Sequence, residues 1–167
     1  MYSPEKSISD NAIYSVYKSK EGHVWIGSYF GGVDYMASSS ERFSYIIPDG
    51  GIHSLWGRAS SDILESSDGK IWFGSEDNGI SVLNPYTNTF SYLNTSTTPR
   101  LLGNNVHALE EDSEGNVWVG TFVNGLQKIS RVIHSVSVVP TEDKSIYKLQ
   151  MISEDKMFIG FNTGAGI

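Results

Sequence analysis

The sequence has no cysteine among its 167 residues, which excludes disulfide bonds and thiolate metal sites. It also has no apolar run near the roughly 20 residues that a membrane-spanning helix needs. The first ten residues are polar and lack a hydrophobic signal core, so the chain as given is not predicted to direct its own export. An exported parent protein would carry its signal outside this segment.

Basic residues are scarce, because 12 Lys and Arg stand against 19 Asp and Glu, for a net charge of −7. No basic run is present, so a phosphate-neutralising surface is not expected and nucleic acid is a poor partner. The acidic residues are scattered, which favours solubility over an acidic interaction tail.

Helix-favouring runs are few, whereas the sequence has 17 glycines and 9 tyrosines. This composition is typical of many short strands joined by turns. With 39% hydrophobic residues, the chain can also bury a core. The sequence therefore predicts an all-β fold.

One pattern of eight residues occurs three times, as EGHVWIGS at 21–28, DGKIWFGS at 68–75 and EGNVWVGT at 114–121. The tryptophans at positions 25, 72 and 118 are 47 and then 46 residues apart. A period of this length, with a glycine turn followed by an aromatic strand, predicts a β-propeller blade.

Strand patterns flank each copy and complete the repeat. They predict three four-stranded blades over about residues 11–47, 60–94 and 105–140, with an incomplete fourth over 145–167. In this fourth unit Phe158 stands in place of tryptophan and Asp155 replaces the turn glycine. Residues 1–167 are thus interpreted as a β-propeller fragment, because a seven-bladed parent would need about 320 residues.

Nine repeated residues are expected to be structural. The glycines at 22, 69 and 115 suit hairpins that need positive φ. The three tryptophans are expected to fill the space between neighbouring sheets. The glycines at 27, 74 and 120 are expected where strands crowd towards the axis.

The segment EDSEGNVWVGT at 111–121, followed by Gly125 and Leu126, resembles the two-component regulator propeller repeat. The resemblance covers three repeats and part of a fourth. It implies a sensor region of a hybrid two-component system of gut Bacteroidetes, periplasmic and part of an inner-membrane sensor histidine kinase. It further implies recognition of oligosaccharides to regulate polysaccharide utilisation. Any kinase or DNA-binding activity would belong to the parent.

Ligands of propellers usually meet the face formed by the loops after the second and fourth strands of each blade. Trp56 is the one tryptophan outside the hairpin register, and aromatic faces with nearby charged groups suit sugar rings. The alternative interpretation is that Trp56 has a structural role and fills a gap between blades. The candidate ligand contacts are Trp56, His53, Arg58, Tyr29, Phe30, Glu76, Asp77 and Phe122.

No catalytic residue, metal ligand or cofactor is predicted. His107 and His134 are interpreted as core or surface residues. Glu76 and Asp77 are adjacent, and glycoside hydrolysis needs two carboxylates across a bond. A propeller glycoside hydrolase or lyase is therefore the weaker alternative, and a protein-interaction scaffold remains open.

The expected partners are an oligosaccharide and either the remaining blades of the parent or a second copy of the chain. An incomplete ring leaves sheet faces uncovered, and two copies would supply about seven blades. No direct membrane contact is expected.

Overall fold

The computed structural model describes residues 7–132 and 134–162, and all its helix or strand elements are strands. The first sheet contains β1 (Ile13–Lys18), β2 (Val24–Ser28), β3 (Val33–Met36) and β4 (Ser44–Ile46). The second contains β5 (Ser60–Glu65), β6 (Ile71–Ser75), β7 (Gly79–Asn84) and β8 (Thr89–Leu93). The third contains β9 (Val106–Glu111), β10 (Val117–Thr121), β11 (Gly125–Ile129) and β12 (Val136–Val139). The fourth is the hairpin of β13 (Ile146–Ser153) and β14 (Lys156–Phe161).

Within each sheet the strands pair antiparallel in chain order. Contacts between sheets run mainly through the first strands, since β1 meets β5, β5 meets β9 and β9 meets β13. The first strands are therefore innermost and the sheets are blades around a common axis. The predicted all-β propeller architecture is confirmed. The predicted end of the fourth unit, residues 163–167, lies outside the described residues.

Each tryptophan of the repeat packs against the next blade. Trp25 is buried with Ile63 and Phe73, which belong to the second blade. Trp72 and Trp118 are half-buried and pack in the same way, against clusters that include Val106 of the third blade and Leu149 of the fourth. The prediction that the tryptophans fill the space between sheets is confirmed.

Carboxylates add polar links between successive blades. Glu65 Oε2 accepts hydrogen bonds from the Tyr17 hydroxyl (3.0 Å) and the Lys20 backbone N–H (3.4 Å). At the equivalent position of the third blade, Glu111 accepts from the backbone N–H and hydroxyl of Ser67 at 2.6 and 2.8 Å. The innermost strands of the second and third blades thus each bind the blade before them through a carboxylate.

The glycines beside the tryptophans mark close backbone approach. A Cβ added at Gly74 would lie 2.9 Å from Val106 Cγ1, and one at Gly120 would lie 2.5 Å from Ile146 Cγ2. Both neighbours belong to the next blade and are fully buried. The predicted crowding of strands at these glycines is confirmed.

We expect Gly120→Ala to lower the free energy of unfolding by about 1–3 kcal/mol, because the added methyl group overpacks the interface with Ile146. Gly160 occupies the equivalent position in β14, but an added Cβ there would meet Lys148 Cβ at an ordinary 3.5 Å. Gly160→Ala is therefore the matched control and should change stability by less than about 1 kcal/mol. Urea denaturation measures both, and equal effects would contradict the close approach.

Asp112 holds the hairpin of the third blade. Its carboxylate accepts hydrogen bonds from Asn116 Nδ2 (3.0 Å) and Trp118 Nε1 (2.9 Å), and Lys128 Nζ lies 3.0 Å away. Burial alone would raise the pKa of Asp112, but these hydrogen bonds lower it to about 2. Because the pKa is depressed in the folded state, the resulting stability is present above about pH 4 and is lost as the pH falls towards 2.

Asp112→Asn should therefore destabilise the protein by about 1–2 kcal/mol at pH 6, with allowance for solvent screening, and by much less at pH 2. The matched control is Glu114→Gln, because the Glu114 side chain is largely exposed. Urea midpoints of the three proteins across this pH range test the prediction. A difference between wild type and Asp112→Asn that does not change with pH would contradict it.

Candidate ligand-binding site

Each innermost strand carries one β-bulge near its start. The pairing register shifts between Ile13 and Ser15 in β1, and at the equivalent point in β5, β9 and β13. A bulge removes one residue from the ladder and redirects its side chain. The four bulged residues are Tyr14, Ser61, His107 and Tyr147, each 11 residues before the tryptophan or phenylalanine of the next strand.

A second set of equivalent residues follows the second strand of each blade. These residues are Tyr29, Glu76, Phe122 and Asn162, four positions after the tryptophan or phenylalanine. The backbone N–H of each donates a 2.9–3.0 Å hydrogen bond to the carbonyl two residues before the bulge. The two sets therefore lie together at the same end of every blade.

A pocket of about 360 Å³ opens among these residues. All of its lining residues except Glu76 belong to innermost strands, so the pocket lies on the axial side of the fan of blades. The lining residues are Tyr14, Ser15, Val16, Ser61, Asp62, Glu76, His107, Tyr147 and Lys148. We call this space the axial pocket.

Aromatic rings form much of the wall of the axial pocket. The His107 and Tyr147 rings lie 4.7 Å apart between centroids, and Phe122 lies 5.8 Å from His107. On the first blade, the Tyr14 and Tyr29 rings are 5.2 Å apart. Tyr147 is 55% exposed, so its ring is available to a ligand. Such faces suit the C–H surface of a sugar ring.

His107 and Glu76 form the polar centre of the wall, with 3.5 Å between Nε2 and Oε1. Burial lowers the pKa of His107, although Glu76 opposes that shift, and the burial favours the neutral imidazole. Burial raises the pKa of Tyr14, and Glu76, Tyr29 and Tyr147 add to the shift. Glu76 is thus the charged group that these rings surround.

Asp62 has a structural role at the bottom of the same pocket. Its Oδ2 accepts a 2.9 Å hydrogen bond from the Leu109 backbone N–H, and Lys148 Nζ lies 3.5 Å from its Oδ1. Burial raises the pKa of Asp62, and Lys148 counteracts this. The carboxylate therefore joins blades two, three and four, and its charge is compensated by the protein.

Trp56 does not line the axial pocket. Its ring stacks on Tyr92 with centroids 4.1 Å apart and an interplanar angle of 3°, and it is 38% exposed. It lines a separate pocket of about 370 Å³ with Pro48, Gly50 and other loop residues. One ring face is thus occupied by packing, and the other is open to a ligand.

Trp56 also has a repeat position of its own, 16 residues before Trp72. Its backbone N–H donates to Ser81 Oγ at 3.0 Å, just as Leu102 N–H donates to Gln127 Oε1 at 2.8 Å. These bonds fasten each incoming loop to the third strand of its own blade. The backbone at Trp56 is therefore structural, whatever its side chain contacts.

The remaining predicted contacts lie either near the axial pocket or in and around the loop that carries Trp56. Tyr29, Glu76 and Phe122 lie at the end of each blade where the bulged residues are. The Phe30 ring packs beside the Tyr29 ring, with 4.4 Å between the ring centroids. His53 and Arg58 are exposed in the loop that carries Trp56. The Arg58 backbone N–H donates to both Asp77 carboxylate oxygens at 3.1 Å, so that carboxylate stabilises the loop.

The bulged residues are not among the contacts predicted from the sequence. The sequence favours a core or surface role for His107 and does not single out Tyr14 or Tyr147, yet all three line the axial pocket. Their common position, 11 residues before the tryptophan, was a signal that alignment of the repeats could have provided.

Within residues 7–132 and 134–162, no group of three or more His, Asp or Glu side chains is arranged to hold a metal ion. None of the described segments forms a helix that is long and apolar enough to cross a membrane.

The four sheets and their shared axis define a β-propeller. Residues 7–30 and 100–122 match the sequence family described as the two component regulator propeller. Each match runs from the incoming loop through the end of the second strand of a blade. No curated protein matches this sequence.

Solved structures share the fold. The extracellular domain of the hybrid two component system BT3049 of B. thetaiotaomicron is 22% identical, with a TM-score of 0.85 over 96% of this chain and 22% of that one. The corresponding domain of BT4673 from the same organism is 24% identical, with a TM-score of 0.75 over 92% and 22%. Virginiamycin B lyase of Staphylococcus aureus is 17% identical, with a TM-score of 0.71 over 95% and 52%. The chain thus spans about a fifth of the length of the two sensor domains it resembles.

Proposed function

We propose that this chain is a ligand-recognising part of the sensor region of a hybrid two-component system, and that its axial pocket binds an oligosaccharide. The family repeats and the similarity to extracellular domains of such systems support the signalling role. On the same grounds we place the chain outside the cytoplasm, as part of a periplasmic sensor that responds to glycans.

The main support for the axial pocket as the ligand site is the convergence of the bulged residues. Four successive blades direct side chains into one pocket, and three of the four bulged residues are aromatic or imidazole rings. A concave pocket with ring faces and a few polar groups suits a small ligand better than a flat protein surface. This geometry favours a glycan receptor over a protein-interaction scaffold.

Calorimetric titration of the 167-residue chain against a panel of oligosaccharides tests this function. We expect Tyr147→Ala to weaken binding by tenfold or more, because it removes an exposed ring from the axial pocket. Tyr86→Ala is the matched control, since Tyr86 is 84% exposed and lies outside this pocket. No binding of any glycan would contradict the proposal.

Trp56→Ala in the same titration separates the two candidate places. Unchanged affinity would discard the pocket around Trp56 and leave the axial pocket as the site. A loss of affinity in Trp56→Ala, with Tyr147→Ala unchanged, would move the site to the loop of residues 48–59. Because Trp56 packs on Tyr92, an unfolding curve must show that the variant is folded.

We also propose that a second copy covers the outer face of the first blade. Val16 is 66% exposed, whereas its equivalents in the next three blades, Ile63, Leu109 and Leu149, are buried against the preceding blade. The face of the first blade thus carries an apolar side chain where every other blade of the chain has an interface. Another blade with the same repeat fits this surface.

Light scattering over a range of concentrations checks this association. We expect a dimer that Val16→Glu dissociates, because the substitution puts a charge in the interface. Tyr86→Glu, on an exposed turn, should leave the dimer intact. A monomer that unfolds cooperatively at high concentration would refute self-association.

A further inference from the structure

Glu76 is the carboxylate of the axial pocket that has no Lys or Arg partner among the described residues. Its partner within ion-pair distance there is His107, at 3.5 Å, and burial lowers the pKa of that imidazole, which favours its neutral form. Asp62, by contrast, is paired with Lys148 and accepts a backbone N–H from Leu109. The pocket therefore presents one net negative charge to whatever enters it.

The position of Glu76 makes this charge decisive for a ligand. It lines the pocket together with Tyr14, His107 and Tyr147, so a ring that stacks on these aromatic groups is brought next to the carboxylate. A carboxylate accepts hydrogen bonds from sugar hydroxyl groups. The same carboxylate repels a carboxylate or sulfate group on the ligand, in a half-enclosed site where screening is incomplete.

We infer that Glu76 makes the axial pocket select neutral sugar rings and reject acidic ones such as uronates and sulfated sugars. This inference rests on the proposed function, because it specifies which oligosaccharides the axial pocket accepts. Lys148 does not reverse the selectivity, since its ammonium group is directed to Asp62. Glu76 is a specificity-determining residue in this scheme.

The experiment compares pairs of trisaccharides that differ only by oxidation at C6. The neutral members are built of glucose, galactose or mannose, and the acidic members of glucuronate, galacturonate or mannuronate. For any neutral member that binds the 167-residue chain, we expect the acidic counterpart to bind at least tenfold more weakly. Glu76→Gln keeps the shape and a hydrogen-bonding oxygen but removes the charge. It should reduce the difference between the neutral and the acidic member of a pair by about tenfold or more, because the repulsion of the acidic sugar is removed.

Asp77→Asn is the matched control. It removes the same charge one residue away, but the Asp77 carboxylate accepts the Arg58 backbone N–H in the loop and does not line the axial pocket. The preference for neutral sugars should therefore persist in this variant. The preference of the wild-type chain for neutral sugars should also weaken at high salt, where charge repulsion is screened.

Each outcome is decisive. If no sugar binds, the proposed function fails and this inference fails with it. If sugars bind but acidic members bind as tightly as neutral ones, or if Glu76→Gln leaves the difference unchanged, selection by Glu76 is overturned and the proposed function stands. An equal effect of Asp77→Asn would show that overall charge, and not the pocket, sets the preference. Unfolding midpoints of both variants establish that they are folded.

Discussion

The packing of each tryptophan against the next blade is the interaction on which the rest of the structure depends. Trp25 becomes buried only because the second blade brings Ile63 and Phe73 against it. That approach in turn requires a residue without a side chain beside the tryptophan, as Gly120 shows at the third interface. A single blade cannot bury its own tryptophan, so stability in this fold comes from neighbours.

The same convergence explains why the axial pocket exists. Innermost strands that crowd around an axis cannot keep a regular ladder to their ends, and each one places a residue in a bulge there. A bulged residue stands outside the ladder, so its identity can differ between repeats while the ladder is kept. The four bulged residues are tyrosine, serine, histidine and tyrosine, whereas the tryptophan position changes once, to phenylalanine. In this chain the constant residues are those that pack between blades, and the variable residues line the pocket that we propose as the ligand site.

This division also explains how much the sequence could predict. The tryptophan, glycine and hairpin pattern was sufficient for the fold and for strands such as β6 and β10, because packing repeats with the sequence period. Glu76 and Phe122 could be proposed as ligand contacts from the sequence because they follow the hairpin directly. The position of His107 and Tyr147 at the axial pocket could not be predicted, because a bulge is invisible to a pattern of alternating residues and reverses the face on which a side chain is expected. Trp56 was selected for its residue type, and its stacking on Tyr92 could not be deduced from spacing.

The two carboxylates that line the axial pocket, Asp62 and Glu76, differ in how the protein compensates them. A buried carboxylate must be compensated by the protein, and Asp62 meets this requirement with Lys148 and a backbone N–H. Glu76 lies in a turn after β6, and among the described residues its partner within ion-pair distance is the His107 imidazole of the third blade, whose pKa is lowered by burial. A partly exposed carboxylate in that position is open to water, and a ligand that displaces this water must replace its hydrogen bonds. Hydroxyl groups on a neutral sugar can do so and an acidic group cannot, which is the physical basis for our proposal that Glu76 discriminates between ligands.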